Sequence, residues 1–199
     1  MQSVGPQNLK QTYNNSFFNM NNYDKYAWKI PSEPVTLEGL PKANMKGEYY
    51  FFDVQEVDTL KLIENHHFLN WLFSRHQFRC GIVKMEPNKI YDWHQDSRKD
   101  ATNRGVCINA LITPSPSLVL WSDNLTDLKN HGGTKFQADI VPFQYELNQL
   151  YLFNPSIMHS VYNFQNERLL FSLQFDEPYE KLQYESLLNE IKNEYKQMA

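Results

Sequence analysis

The stretch LYLFNPSIMHSVYNFQNERLLFSLQF, residues 150–175, decides how the rest of the chain is read. Runs of aromatic and branched side chains at 148–153, 159–164 and 168–175 are separated only by turn residues, Asn154-Pro155 among them. Such runs are strands, and strands that follow one another without helices between them pair antiparallel. In the last run a period of two places Leu169, Phe171, Leu173 and Phe175 on one face, and Arg168, Leu170, Ser172 and Gln174 on the other. The first face is wholly apolar and suits a core. The second carries polar groups, as the wall of a pocket would.

The same texture extends back to Arg75. FRCGIVKME (78–86), IYDWHQD (90–96), GVCINALIT (105–113), SLVLWSD (117–123) and TKFQADIV (134–141) complete a set of eight runs. Pro114-Ser115-Pro116 and Asn130-His131-Gly132-Gly133 punctuate them. Regular short strands with turns between them predict a mainly β fold, and a double-stranded β-helix (a cupin-like jelly roll) over residues 78–175 is the first choice. Helices are expected to flank it. Asp58 is placed to cap one that carries Leu60, Ile63, Phe68, Leu72 and Phe73 in a single stripe. Residues 179–198 put Leu182, Leu187, Leu188, Ile191 and Tyr195 on one face of another. GEYYFFDV (47–54) reads as a further strand, after a loop broken by Pro31, Pro34 and Pro41. Residues 1–25, rich in Asn and Gln and without a period, read as an arm or extension of a single domain spanning 1–199.

Composition narrows the functional classes. Of the 199 residues 41% are hydrophobic and 15% aromatic, enough for a packed core. The net charge is −4 and the lysines and arginines are scattered, which counts against a nucleic-acid substrate. No apolar run approaches a membrane span, and the first residues lack the charged and apolar regions of a signal peptide. Cys80 and Cys107, both in apolar runs, read as buried free thiols. A cytoplasmic setting is expected.

Candidate chemistry starts at His94-Gln95-Asp96. Residues i and i+2 of a strand share a face, so an imidazole and a carboxylate can converge on one point. Taken alone the pair also reads as a solvated strand end. His159 stands beyond the Asn154-Pro155 turn at the start of a new strand, which a jelly roll can bring beside His94. Two histidines and a carboxylate make a facial triad of the kind that binds non-haem Fe(II) and leaves three positions open. Arg168, at the mouth of an apolar strand, suits a buried carboxylate bound bidentately, the alternative being a surface salt bridge to Glu167 or Glu177. Of the other histidines, His66 and His67 read as mid-helix and His76 as closing that helix. His131 is the substitute ligand to consider.

The order H-x-D, distal His, then Arg nine residues further on resembles the 2-oxoglutarate and Fe(II)-dependent dioxygenases, most nearly their prolyl-hydroxylase-like branch. The resemblance rests on Tyr91–Asp96, on Arg104–Ile112 and on LYLFNPSIMHSV followed by Glu167-Arg168, and covers roughly residues 78–175. It implies Fe(II) on His94, Asp96 and His159, and 2-oxoglutarate with its distal carboxylate on Arg168. With O2 as the third reactant, it implies hydroxylation of a C–H bond. The substrate expected is a prolyl or other amino-acid residue in a protein or peptide, or else a free small molecule or nucleobase.

Two departures from that pattern matter. Leu170 stands where many relatives carry Ser or Thr, and no tyrosine lies between Val106 and Thr113. Asn109 and Ser172 are therefore the expected helpers of Arg168, Asn109 alternatively being a bulge residue. Tyr91, Arg104 and Gln174 are the expected substrate-lining residues, with a plain surface role as the alternative for Arg104. By alternation Tyr91 and Trp93 face away from His94, unless Tyr91 curls back to the entrance, and Trp93 is assigned to the core. Two other classes remain: a metal-dependent cupin enzyme that uses no 2-oxoglutarate, and a jelly-roll interaction protein with a vestigial site. Arg168 separates the first of these, because only a carboxylate co-substrate needs it there.

Overall fold

The computed structural model describes residues 20–49, 52–96, 105–123, 139–178 and 180–198. A 3-10 turn, Met20–Lys25, leads into β1 (Ala27–Lys29), β2 (Lys42–Tyr49) and β3 (Phe52–Val57). Helices α1 (Thr59–Ile63) and α2 (His67–Phe73) follow, then β4 (Phe78–Met85), β5 (Lys89–His94), β6 (Cys107–Leu111) and β7 (Leu118–Ser122). The chain continues through β8 (Ile140–Phe143), β9 (Tyr151–Phe153), β10 (Met158–Asn163) and β11 (Arg168–Phe175) to α3 (Tyr184–Met198).

The strands form two antiparallel sheets, a larger one in the order β1-β9-β6-β11-β4-β3-β2 and a smaller one in the order β5-β10-β7-β8. Strands β9, β6, β11 and β4 face the smaller sheet as a four-on-four jelly roll. The larger sheet is extended by β1 on one side and by β3 and β2 on the other. Alternation along β11 works as the sequence implies. Phe171 and Leu173 join Ile108, Ala110, Cys80 and Ile82 under a cover of Leu62, Phe68, Leu69, Leu72, Leu187, Leu188 and Ile191. Leu170 instead belongs to the cluster between the sheets, with Cys107, Leu111, Val119, Trp121, Tyr145, Tyr151 and Phe153. Each large apolar side chain buried this way contributes about 1.5–3 kcal/mol.

Several local expectations are corrected. The run GEYYFFDV is not one strand: it divides between β2 and β3, which pair with Tyr49 opposite Phe52 and Gly47 opposite Val54. The helix expected from Asp58 is two helices. Asp58 does cap the first, its Oδ1 accepting the Lys61 N–H at 3.1 Å. His66 is extended (φ −130°, ψ 107°) and caps the second, its Nδ1 accepting the Leu69 N–H at 3.3 Å. Its Nε2 lies 3.1 Å from the Glu33 carbonyl and donates to it. A buried imidazole needs both partners, so the first helix ends before it and Leu60 is left 63% exposed. Residues 27–29, read as loop, pair with β9. The strand expected at 134–141 lies at Ile140–Phe143, on an edge that tolerates Pro142, and 134–138 fall outside the described residues. Leu182 precedes α3 yet packs in the same cluster as Leu187 and Ile191. Cys80 and Cys107 are buried thiols, as expected. Among the described residues no helix is long and apolar enough to cross a membrane.

Candidate metal centre

In the smaller sheet β10 lies between β5 and β7, which puts His159 directly opposite His94 on one side and Trp121 on the other. The register of β10 against β5 shifts between His159 and Val161. The rings of His94 and His159 are 4.3 Å apart, centre to centre. Asp96 lies just beyond the end of β5, its Oδ1 3.5 Å from His94 Nε2. One donor atom from each of His94, Asp96 and His159 falls within 4.8 Å of the others, a spacing that could hold a metal ion.

The imidazoles are oriented for that task. His94 Nδ1 lies 2.5 Å from the Asp92 carbonyl, and His159 Nδ1 lies 2.9 Å from the Ile157 carbonyl. A carbonyl can only accept, so both Nδ1 atoms carry the proton and both Nε2 atoms keep a lone pair. Burial holds the His159 imidazole below its ordinary pKa, with Asp96 opposing and His94 reinforcing the shift. The neutral ring is the form that binds a metal. Phe153 packs edge-on against His159 at 5.2 Å, and Tyr91 edge-on against His94 at 4.4 Å. Tyr91 thus curls to the site. Trp93 is half-buried and belongs to neither core cluster, contrary to its assignment to the core.

A second polar group of residues occupies the space between the sheets. Arg168 is 5% exposed, and no carboxylate of the described residues lies within ion-pairing distance of it. Glu167, the expected surface partner, pairs with Lys84 at 2.8 Å instead. The guanidinium Nε donates to Ser117 Oγ at 3.2 Å, and its carbon lies 5.8 Å from the centre of the Tyr145 ring. Burial lowers the Arg168 pKa, and the Tyr145 phenol opposes the shift. Asn109 Nδ2 is 3.4 Å from both Tyr145 Oη and Cys107 Sγ, while its buried Oδ1 has no hydrogen-bond partner. Ser172 is buried directly across from Asn109 in the sheet, but Ser117 takes the place beside Arg168 expected of it.

Gln174 sits opposite Cys107, which is opposite Phe153, and so lies toward the His159 end of the larger sheet. Arg104 and His131 lie outside the described residues. Tyr145 and Ser117 carry no motif in the sequence. The alternation of Phe143, which ends β8, with Tyr145 is the one signal for the tyrosine, and Ser117 opening an apolar run after Pro116 carries none.

No protein-family model matches the chain, and no curated protein matches it. Solved structures do. A prolyl-4-hydroxylase of Pseudomonas putida is 17% identical, with 69% of this chain and 77% of that chain covered and a TM-score of 0.43. An oxidoreductase of the 2OG-Fe(II) oxygenase family from Burkholderia pseudomallei is 11% identical, covering 66% and 71%, also at 0.43. A cupin domain from Bordetella pertussis is 14% identical, covering 50% and 82%, at 0.33. At that level of likeness the chemistry has to be read from this chain's own residues.

Proposed function

We propose that the protein is a non-haem Fe(II) and 2-oxoglutarate-dependent dioxygenase that hydroxylates a C–H bond. The single observation that carries this reading is Arg168, a buried cation with no carboxylate among the described residues, in the same inter-sheet space as the two-histidine, one-carboxylate cluster. Leaving a buried charge uncompensated costs about 3–5 kcal/mol, so a fold that keeps one has a use for an anion there.

The residues present fit the groups the reading requires. His94 and His159 would offer Nε2 and Asp96 a carboxylate oxygen, a hard and borderline donor set suited to Fe(II). When bound, iron with 2-oxoglutarate and O2 supplies the oxidation, releasing CO2 and succinate. Arg168 would take the distal carboxylate in its guanidinium fork. Tyr145, whose phenol burial keeps neutral, would donate a further hydrogen bond. Asn109 Nδ2 donates to Tyr145 Oη at 3.4 Å, which would leave the phenol proton free to point at the anion. Leu170, Val119, Trp121 and Phe153 exclude water around these groups. Tyr91 and Gln174 lie toward the metal end, where a substrate would enter. An amino-acid residue in a protein or peptide is the substrate we assign.

The test is anaerobic purification, addition of Fe(II), and measurement of succinate from 2-oxoglutarate on admitting air. Succinate should form slowly even without substrate and should vanish in Asp96→Ala. Turnover indifferent to that substitution would refute the assignment. A metal-bound protein that leaves 2-oxoglutarate untouched would favour a cupin-type enzyme. Peptides, free amino acids and nucleotides screened for the gain of one oxygen would then define the substrate.

A further inference from the structure

Three consecutive carbonyls of the turn between β9 and β10 hold the segments that carry the metal-binding side chains. Pro155 O accepts the Asp96 N–H at 3.0 Å. Ser156 O accepts Gln95 Nε2 at 2.8 Å. Ile157 O accepts the His159 Nδ1–H at 2.9 Å. The turn is itself pinned from the other side. Asn154, 6% exposed, receives Ser156 N at 3.3 Å and the Ser156 hydroxyl on its Oδ1. Its Nδ2 donates to Lys25 O at 3.0 Å and its backbone N–H to Tyr26 O at 2.9 Å.

We infer that this turn sets the positions of Asp96 and His159 before any metal arrives, and that Gln95, the middle residue of H-x-D, is a positioning residue acting through Ser156. Asp96 lies past the last paired residue of β5, so the strand ladder does not fix it. The two contacts to the turn do. Gln95 touches none of the donor atoms; it fixes how far the chain end carrying Asp96 stands from His159. Groups that orient metal ligands in this way are worth 10–100-fold in metal affinity.

This inference rests on the metal reading of His94, Asp96 and His159, and the experiment separates the two. Co(II) alone is titrated into metal-free full-length protein, with its visible absorption followed as a signature of coordination geometry. Wild type should bind it and His159→Ala should not. Gln95→Met, which keeps the length of the side chain but loses the N–H, should bind 10–100-fold more weakly with an altered band, at an unchanged melting temperature. Asn154→Ala should show the same change of band, and because Asn154 is buried the exposed Gln95 decides if that variant fails to fold. Wild-type affinity and an unaltered band in Gln95→Met would overturn the positioning role. Absence of Co(II) binding by the wild type would overturn the metal reading and this inference with it.

Discussion

The Arg168 guanidinium carbon lies 5.8 Å from the centre of the Tyr145 ring. Among the described residues, no carboxylate pairs with that charge. A buried cation that lacks a carboxylate among the described residues costs stability until an anion joins it. Arg168→Met should therefore leave the melting temperature unchanged or raise it. In the wild type, 2-oxoglutarate with Mn(II) at about 100 times Kd should stabilise by about 2.7 kcal/mol, and that gain should disappear in the variant. Thermal unfolding with and without the diacid measures both. A strongly destabilised Arg168→Met that still responds to 2-oxoglutarate would contradict the role.

Tyr145→Phe removes one hydroxyl and keeps the edge contacts of the ring with Phe143 and Tyr151. A hydrogen bond to a charged group is worth about 1.5–3 kcal/mol, so 2-oxoglutarate should bind about 10–100-fold more weakly while stability changes little. Burial pushes the Tyr145 phenol above its ordinary pKa, so it stays a donor through the alkaline range. Calorimetric titrations at pH 7 and pH 9 should give the same ratio of wild-type to variant affinity.

His66 supplies an acid-sensitive element remote from the site. Burial holds its pKa below the ordinary 6.5, against the opposing Glu33 carboxylate. The Glu33 carboxylate lies 3.6 Å from Nδ1. A depressed folded pKa means that the unfolded chain takes up the proton first. The contribution of His66 is thus complete above about pH 6.5 and declines as the pH falls below it, by at most about 1.4 kcal/mol per pH unit. Asn caps a helix as well and does not titrate, so His66→Asn should flatten stability between pH 6.5 and 5. Urea unfolding across that range checks the slope.

Cys80 and Cys107 are 4% and 3% exposed, and burial pushes the Cys80 thiol up to about 12. Neither should react with iodoacetamide at pH 8 in the native protein, and both should react in urea. Mass spectrometry of the alkylated chain counts them.

Strand positions were legible because proline, asparagine and glycine turns punctuate runs with a clear period of two. Both donor strands and both faces of β11 follow from that alone. The break at His66 was not legible, since it arises from the ring's tertiary partner, Glu33 O, in a segment without a pattern. β1 was missed because three residues are too few to show a period. Tyr145 was hidden for another reason. It reaches Asn109 because the segment after it is docked on β6, by a parallel bridge between Leu147 and Leu111 and by Asn148 N donating to Leu111 O at 2.7 Å. Asn148 adopts φ 64°, a left-handed conformation that Asn tolerates. No local signal in FQYEL announces that docking.

β10 has one more consequence, for the order in which the molecule comes together. It is the strand that joins β5 to β7 and β8, and the Gln95–Ser156 contact spans 61 residues. A chain growing from its N-terminus presents His94 and Asp96 long before His159 exists. Until β10 slots in beside it, β5 has no neighbour in its own sheet among the described residues, with His94 at its end and Asp96 just beyond. Closing so long a loop is slow compared with forming hairpins or helices. Metal capture should therefore come at the end of folding, and uptake of the ion by a refolding chain would time the insertion of a single strand.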